Sequence, residues 1–135
     1  MNEKQKLKLI LGIGCDRNVG LETLNTAIDN ALTSIKKTRD DVVALASIDK
    51  KNDEVNLLAL SEQTSWPLHF FNAQQLSQVK VPNPSAVVLK YMGTPAVAEA
   101  AAILAAQTTM DDLLLEKYKF LGADGKNATV SIVKG

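Results

Sequence analysis

Short apolar runs alternate along this chain with stretches in which apolar side chains return every three or four positions. Leu7 to Ile13 is such a run and predicts a buried first strand. A glycine-bearing turn, Gly12 to Gly20, carries the chain into a helix marked by Leu21, Leu24, Ile28, Leu32 and Ile35. Lys36, Lys37 and Arg39 follow, where positive charge suits the negative end of the helix dipole. Val42 to Ala46 reads as a second buried strand that runs on through Ser47-Ile48 to Asp49. A polar turn, Lys50 to Glu54, precedes a helix on Val55, Leu58, Ala59 and Glu62; Pro67 to Phe71 reads as the third strand, with a weak helix over Ala73 to Gln78.

Two helix starts follow. Asn83-Pro84-Ser85-Ala86 places asparagine at an N-cap and proline at the first helical position, predicting a helix over Pro84 to Met92. Gly93 is placed to end it, and Thr94 to cap a second helix over Pro95 to Ala106. Leu113 to Phe120 and Ala128 to Val133 alternate around Gly122 to Asn127, which is a hairpin pattern. Strands alternating with helices and then a hairpin imply an α/β three-layer sandwich. Its sheet is expected to be mixed and mostly parallel, with an antiparallel C-terminal hairpin.

Length changes this picture little: 135 residues fit one domain, taken as 1–135. Charge changes it more. Fifteen basic and fifteen acidic residues cancel, so no global field draws in nucleic acid or an anionic membrane, and any anion site must be local. The lysine-flanked start, Lys4, Lys6 and Lys8 before Leu9-Ile10-Leu11, has too short an apolar stretch for a secretory signal and reads as strand. A single cysteine excludes an internal disulfide and suits a cytoplasmic protein. With one histidine, His69, in an apolar strand and read as structural, it also speaks against a zinc site.

Candidate chemistry gathers where strands end. The loop after the first strand lacks the glycine of a dinucleotide fingerprint at Arg17 and lacks the Gly-Lys-Ser/Thr ending of a P-loop. It remains a strand-to-helix turn at the carboxyl edge of a parallel sheet, where ligands bind in open α/β folds. Cys15 lies there, as a nucleophile or as a small residue shaping the turn. Asp49 ends the second strand on the same edge, as a site carboxylate or a turn residue. Glu99 stands among Val97, Ala98, Ala100, Ala101, Ala102 and Ile103, which predicts a carboxylate held inside with a partner rather than on an exposed stripe. Lys117 and Lys119, two apart in a strand, leave one face together, either to hold carboxylates or to guard an edge.

In order and spacing, Gly12-Ile13-Gly14-Cys15, Ser47-Ile48-Asp49, Pro82-Asn83-Pro84-Ser85, Val97-Ala98-Glu99-Ala100-Ala101 and Thr129-Val130 resemble the C-terminal domain of the cobalamin biosynthesis protein CbiG, also found alone as CobE. The resemblance covers nearly the whole chain. It departs from the usual pattern at Asp16, where a basic residue is common, and at Ala96, where serine often stands. It implies a part in corrin-ring construction: binding or carrying a precorrin or cobalt-precorrin intermediate, with other enzymes of the pathway as further partners. For the full-length family it implies cobalt-precorrin-5A hydrolysis, in which a ring lactone opens and acetaldehyde leaves. A third reading is a docking domain that touches no ligand. Neither a resident cofactor nor a metal site is implied, and no nucleic-acid or membrane partner.

A corrin precursor presents many carboxylates around an apolar ring. Gly14, Cys15, Arg17, Asn83, Pro84, Ser85, Lys117 and Lys119 are therefore the expected ligand-binding residues. Asp49 and Glu99, and more weakly Cys15, are the expected catalytic groups. With 4% aromatic residues, aliphatic side chains must supply much of the surface that faces the ring.

Overall fold

A computed structural model describes residues Lys8–Gly135; Lys4, Lys6 and Leu7 of the expected first strand lie outside the described residues. Strand β1 (Leu9–Cys15) leads to helix α1 (Leu21–Ser34), β2 (Val42–Ile48), α2 (Val55–Thr64) and β3 (Leu68–Phe71). Helices α3 (Ala73–Ser77), α4 (Ala86–Met92) and α5 (Ala98–Ala106) follow, and β4 (Leu113–Leu121) and β5 (Asn127–Lys134) close the chain. The sheet order is β3-β2-β1-β5-β4. The β1–β2 and β2–β3 pairings are parallel, whereas β5 runs against both β1 and β4. The expected mixed α/β sheet with its C-terminal hairpin is thus present, and β5 inserts beside β1 so that β4 forms the edge.

Alternation along β1 sorts the two cores. Leu9, Leu11 and Ile13 face α1 and α2 together with Val130 and Ile132 of β5. On the other face, Ala46, Ile48 and Val133 meet α3 and α5, with Val88 and Met92 of α4 packed beside them. Helix α1 buries Leu24, Ile28 and Leu32 as its periodicity predicts. It ends at Ser34 without a basic residue in its last turn; Arg39 instead pairs with Asp29 at 2.6 Å and lies over the Trp66 ring. Helix α2 is rotated from expectation: Leu57 and Leu60 are buried, while Val55 and Leu58 are exposed. His69 is exposed on edge strand β3 rather than held in the core.

Helix α5 lies closest to the sheet. Its alanines Ala98, Ala100, Ala101 and Ala102 are buried, and small side chains permit a close approach. Gly12 completes that approach: an ideal Cβ there would stand 1.7 Å from the carbonyl oxygen of Ala98. Backbone of β1 therefore meets backbone of the first turn of α5, which fixes where that turn points.

Both helix starts after β3 differ from expectation. Helix α4 is capped by Ser85, whose hydroxyl accepts the Val88 N–H at 3.2 Å, and not by Asn83. The Ser85 N–H donates to Pro95 O at 2.9 Å, which holds Ser85 extended at the helix start, with Asn83 and Pro84 outside the helix. Helix α5 begins at Ala98 rather than Pro95: the Thr94 hydroxyl donates to Ala96 O, and Pro95–Val97 stays irregular instead of forming the first turn of helix. Gly93 ends α4 at φ 77°, as expected of glycine after a helix.

Candidate functional site

A cleft of about 250 Å³ opens beside the carboxyl end of β1. Gly14, Cys15 and Asp16 form its floor, the Pro95–Glu99 segment and Ser85, Val88 and Met92 one wall, and Lys117, Lys119, Asn127 and Thr129 of the hairpin the other. Lys51 reaches it from the turn after β2. The lining thus carries three lysines against two carboxylates, on a chain whose total charge is zero. Gly14 sits there without crowding, since a Cβ would meet only Thr129 at 3.8 Å and Val97 at 4.0 Å.

The expected internal carboxylate is present. Glu99 is 2% exposed, and Lys117 Nζ stands 3.2 Å from its Oε2. The pair is a charge contact rather than an aligned hydrogen bond: Glu99 Oε2 has no hydrogen-bond partner, while Lys117 Nζ donates to Asn83 O at 3.4 Å. A buried lone pair in the cleft wall therefore remains available to a donor from outside. No side chain caps α5, and the first-turn residues Ala98 and Glu99, whose amides have no partner within the helix, line the cleft.

A bulge aims the lysines. On β4, Leu115 pairs with Ile132 but Tyr118 with Val130, so one extra residue of β4 stands opposite Ser131. The Ser131 hydroxyl donates to Glu116 O within the bulge. The extra residue flips the phase: Leu115, Tyr118 and Phe120 all face the α1 core, and Lys117 and Lys119 face the cleft.

Other expected residues are committed elsewhere. Arg17 donates to Asp53 at 2.7 Å, to Glu54 at 3.0 Å and to Lys50 O at 2.7 Å, which ties the loop after β1 to the start of α2 and leaves the guanidinium outside the cleft. The Asn83 amide donates to both Glu116 carboxylate oxygens at 2.9 Å; Asn83 and Pro84 stand behind Ser85 and do not line the cleft. Asp49 is exposed at the start of the turn and is likewise not among the lining residues. Asp16 accepts the Asn127 N–H at 2.7 Å and its side-chain amide at 3.0 Å, which seals β1 to the hairpin. Burial pushes the Cys15 thiol up to about 11, with Glu54 and Asp16 adding to the effect of burial and Lys51 and Arg17 opposing it. At neutral pH it is a protonated thiol.

This geometry has known relatives. A family profile described as cobalamin synthesis G C-terminus matches residues 9–133. The chain belongs to the CbiG C-terminal family of cobalamin biosynthesis proteins. It is 32% identical over 124 residues to a cobalt-precorrin-5A hydrolase of Priestia megaterium, a match covering 92% of this chain and 31% of that protein. Over 100 residues it is 32% identical to Protein CobE of a Sinorhizobium species, covering 73% of this chain and 65% of the relative. The chain therefore spans about a third of the first relative and under two thirds of the second. The crystal structure of CobE, a protein from the cobalamin biosynthetic pathway, superposes with a TM-score of 0.80 at 32% identity, covering 96% of this chain and 91% of that one.

Within this CbiG C-terminal fold, sequence reasoning missed Lys51, Asn127, Thr129 and the aliphatic wall of Val88, Met92 and Val97. Thr129 was legible as a strand residue and Asn127 only as the end of the hairpin turn, and the Thr129-Val130 match was the one signal pointing to this segment. Nothing in the sequence separates Lys51 from Lys50, yet Lys50 Nζ turns to Met92 O at 3.3 Å while Lys51 turns inward. Among the described residues, no helix is long and apolar enough to cross a membrane.

Proposed function

We propose that the cleft binds a precorrin or cobalt-precorrin intermediate of cobalamin biosynthesis and that this cytoplasmic protein holds or passes on that intermediate. The observation that carries this reading is a lysine-rich cleft, bordered by helix amides, on an otherwise neutral chain of the CbiG C-terminal family. Its aliphatic wall of Val88, Met92, Pro95, Ala96 and Val97 suits the edge of an apolar ring. At about 250 Å³ the cleft is below the usual size of a pocket that engulfs a drug-sized ligand. It takes one carboxylate-bearing arm of the macrocycle while the ring lies across its mouth. Lys119 and Ser85 are the contacts retained from the expected set; Lys117 lines the cleft but faces Glu99, and Gly14 and Cys15 form the floor.

The test uses cobyrinic acid, a corrin with free carboxylates, titrated onto the protein and followed by its visible absorbance. Saturable binding that weakens with salt, and that is lost for the fully esterified corrin, supports the reading. Equal binding of acid and ester, or none at micromolar corrin, removes it.

A second reading is favoured by one specific observation, the unpartnered Oε2 of Glu99. A buried carboxylate with a free lone pair, beside an ammonium and helix amides, has the parts to take a proton from water and to stabilise an oxyanion. In that reading water adds to the lactone carbonyl of cobalt-precorrin-5A with Glu99 taking its proton, and the acyl C–O bond breaks to leave a carboxylate and a two-carbon alcohol on the macrocycle. The alcohol then loses its O–H proton and its C–C bond to the macrocycle breaks, the macrocycle keeping the electron pair as acetaldehyde leaves. Asp49, outside the cleft, and Cys15, protonated, take no proton-transfer role in it. Acetaldehyde release from the lactone, abolished in Glu99→Gln, is the expected result; corrin binding without acetaldehyde leaves the carrier alone.

A further inference from the structure

The three lysines of the cleft are not equivalent. Lys117 faces Glu99, and Lys119 is exposed to solvent at the edge strand. Lys51 is 8% exposed and lines the cleft, yet among the described residues no carboxylate stands within ion-pair distance of it and no hydrogen bond engages its ammonium. The acidic groups that line the cleft or stand near Cys15 are engaged elsewhere. Glu54 accepts from Arg17 at 3.0 Å and from the Asn18 N–H at 2.7 Å, Asp16 accepts from Asn127, and Glu99 faces Lys117; Asp53, whose carboxylate feels the Lys51 charge, is bound to Arg17 at 2.7 Å. The neighbouring Cys15 thiol is protonated and supplies no charge. Lys51 is therefore a largely buried side chain whose ammonium has no ion-pair or hydrogen-bond partner among the described residues, and holding such a charge beside an apolar wall is costly.

The first turn of α5 has the same unmet need. Its N-cap is Val97, no side chain accepts from its amides, and Ala98 and Glu99 border the cleft that Lys51 enters. An ammonium plus outward-facing helix amides is a site for one oxyanion. We propose that Lys51 and the first turn of α5 form the subsite for a single ligand carboxylate, the anchor by which the cleft fixes one arm of its ligand, while Lys117 stays committed to Glu99. The identity of the ligand as a corrin rests on the function proposed above; the subsite rests on burial and charge alone.

Lys51→Met on the full chain separates an anchor from a structural lysine. An anchor leaves the urea midpoint unchanged or raised, because an uncompensated charge is removed, while affinity for cobyrinic acid falls about tenfold or more and its salt dependence becomes shallower. Lys134→Gln, an exposed lysine outside the cleft, leaves affinity within about twofold. Lysine side-chain NMR supplies a second readout: the Lys51 Cε resonance shifts on titration with glutarate, a simple dicarboxylate, as well as with cobyrinic acid. If cobyrinic acid fails to bind but glutarate moves Lys51, the subsite stands and the corrin reading falls. If cobyrinic acid binds and Lys51→Met retains affinity within twofold, or if neither ligand moves the Lys51 resonance, the subsite is overturned.

Discussion

Replacing Gly12 with alanine puts a methyl group where α5 already has backbone. The added Cβ would stand 1.7 Å from Ala98 O, 2.6 Å from Ala98 C and 3.1 Å from the Ala102 Cβ. Carbon atoms rest at about 3.5–4.0 Å, so the first turn of α5 must retreat by roughly 1.5–2 Å, or β1 must bend away from it. No flexible side-chain end is available to yield, because the nearest obstacle is a helix carbonyl. Overpacking that side chains can absorb costs about 1–3 kcal/mol; a backbone clash belongs at or above the top of that range, so we expect a loss of about 3 kcal/mol or more. Against a total of about 5–15 kcal/mol for a chain of this size, that lowers Tm by about 10 °C. The control is Gly14→Ala on the same strand face, whose Cβ meets nothing closer than 3.8 Å and which should change stability by less than about 1 kcal/mol. Urea unfolding followed by circular dichroism measures both. Displacing Ala98 also moves the amides that border the cleft, so any corrin affinity should fall in Gly12→Ala. A Gly12→Ala protein within about 1 kcal/mol of wild type would refute the argument that backbone contact sets the position of α5.

Lys117→Met should cost about 1–3 kcal/mol, since it strands a carboxylate that is 2% exposed, while Glu99→Gln should be near neutral and should rescue Lys117→Met in the double variant; equal losses in a urea double-mutant cycle would contradict this. Cys15 should react with iodoacetamide at pH 8 far more slowly than glutathione, because its thiol is pushed up to about 11. Its folded pKa lies above the ordinary 9.0, so the folded state holds the proton longer. That contribution is intact below pH 9 and is lost between 9 and 11, where wild type should lose stability relative to Cys15→Ala. Asp124→Ala should expose the start of α1 to hydrogen exchange, because Asp124 accepts the Gly20 N–H at 2.7 Å and the Thr23 hydroxyl at 2.8 Å where Gly20 itself offers no cap. The Lys126 N–H, with those two donors, holds the Asp124 carboxyl below the usual range; its contribution is present at neutral pH and fades as pH falls through the lowered value, so wild type and Asp124→Ala should converge in acid.

Elements that carry their own local signal were legible, and those decided by distant partners were not. The apolar runs of β1, β2 and β3, the periodicity of α1 and the alternating hairpin each carry a local signal that burial then satisfies. Helix α2 misleads because its leucines fall on both faces, so only packing against α1 decides that Leu57 and Leu60 turn inward. Asn83 is a better cap by type than by place, because its amide is drawn to Glu116 and the Ser85 N–H to Pro95 O. Thr94 fails as a cap for a similar reason, its hydroxyl being spent on Ala96 O. These failures coincide with the wall of the cleft, where three residues that local rules would wind into helix, Pro95 to Val97, stay outside it and border the site. The same holds for charge. Glu99 was readable as an internal carboxylate because its own helix supplies only apolar neighbours, but its partner arrives from β4, aimed by a bulge that spacing alone does not announce. Lys51 lies at the far end of that scale. Its sequence neighbours are polar, it lines the cleft with residues of β1, α5 and the hairpin, and only the folded chain distinguishes it from Lys50, one residue earlier and turned to Met92. A cleft built this way is specified by which long-range contacts use up their charges, so the groups left over among the described residues, Lys51, Lys119 and one oxygen of Glu99, are where its chemistry has to be sought.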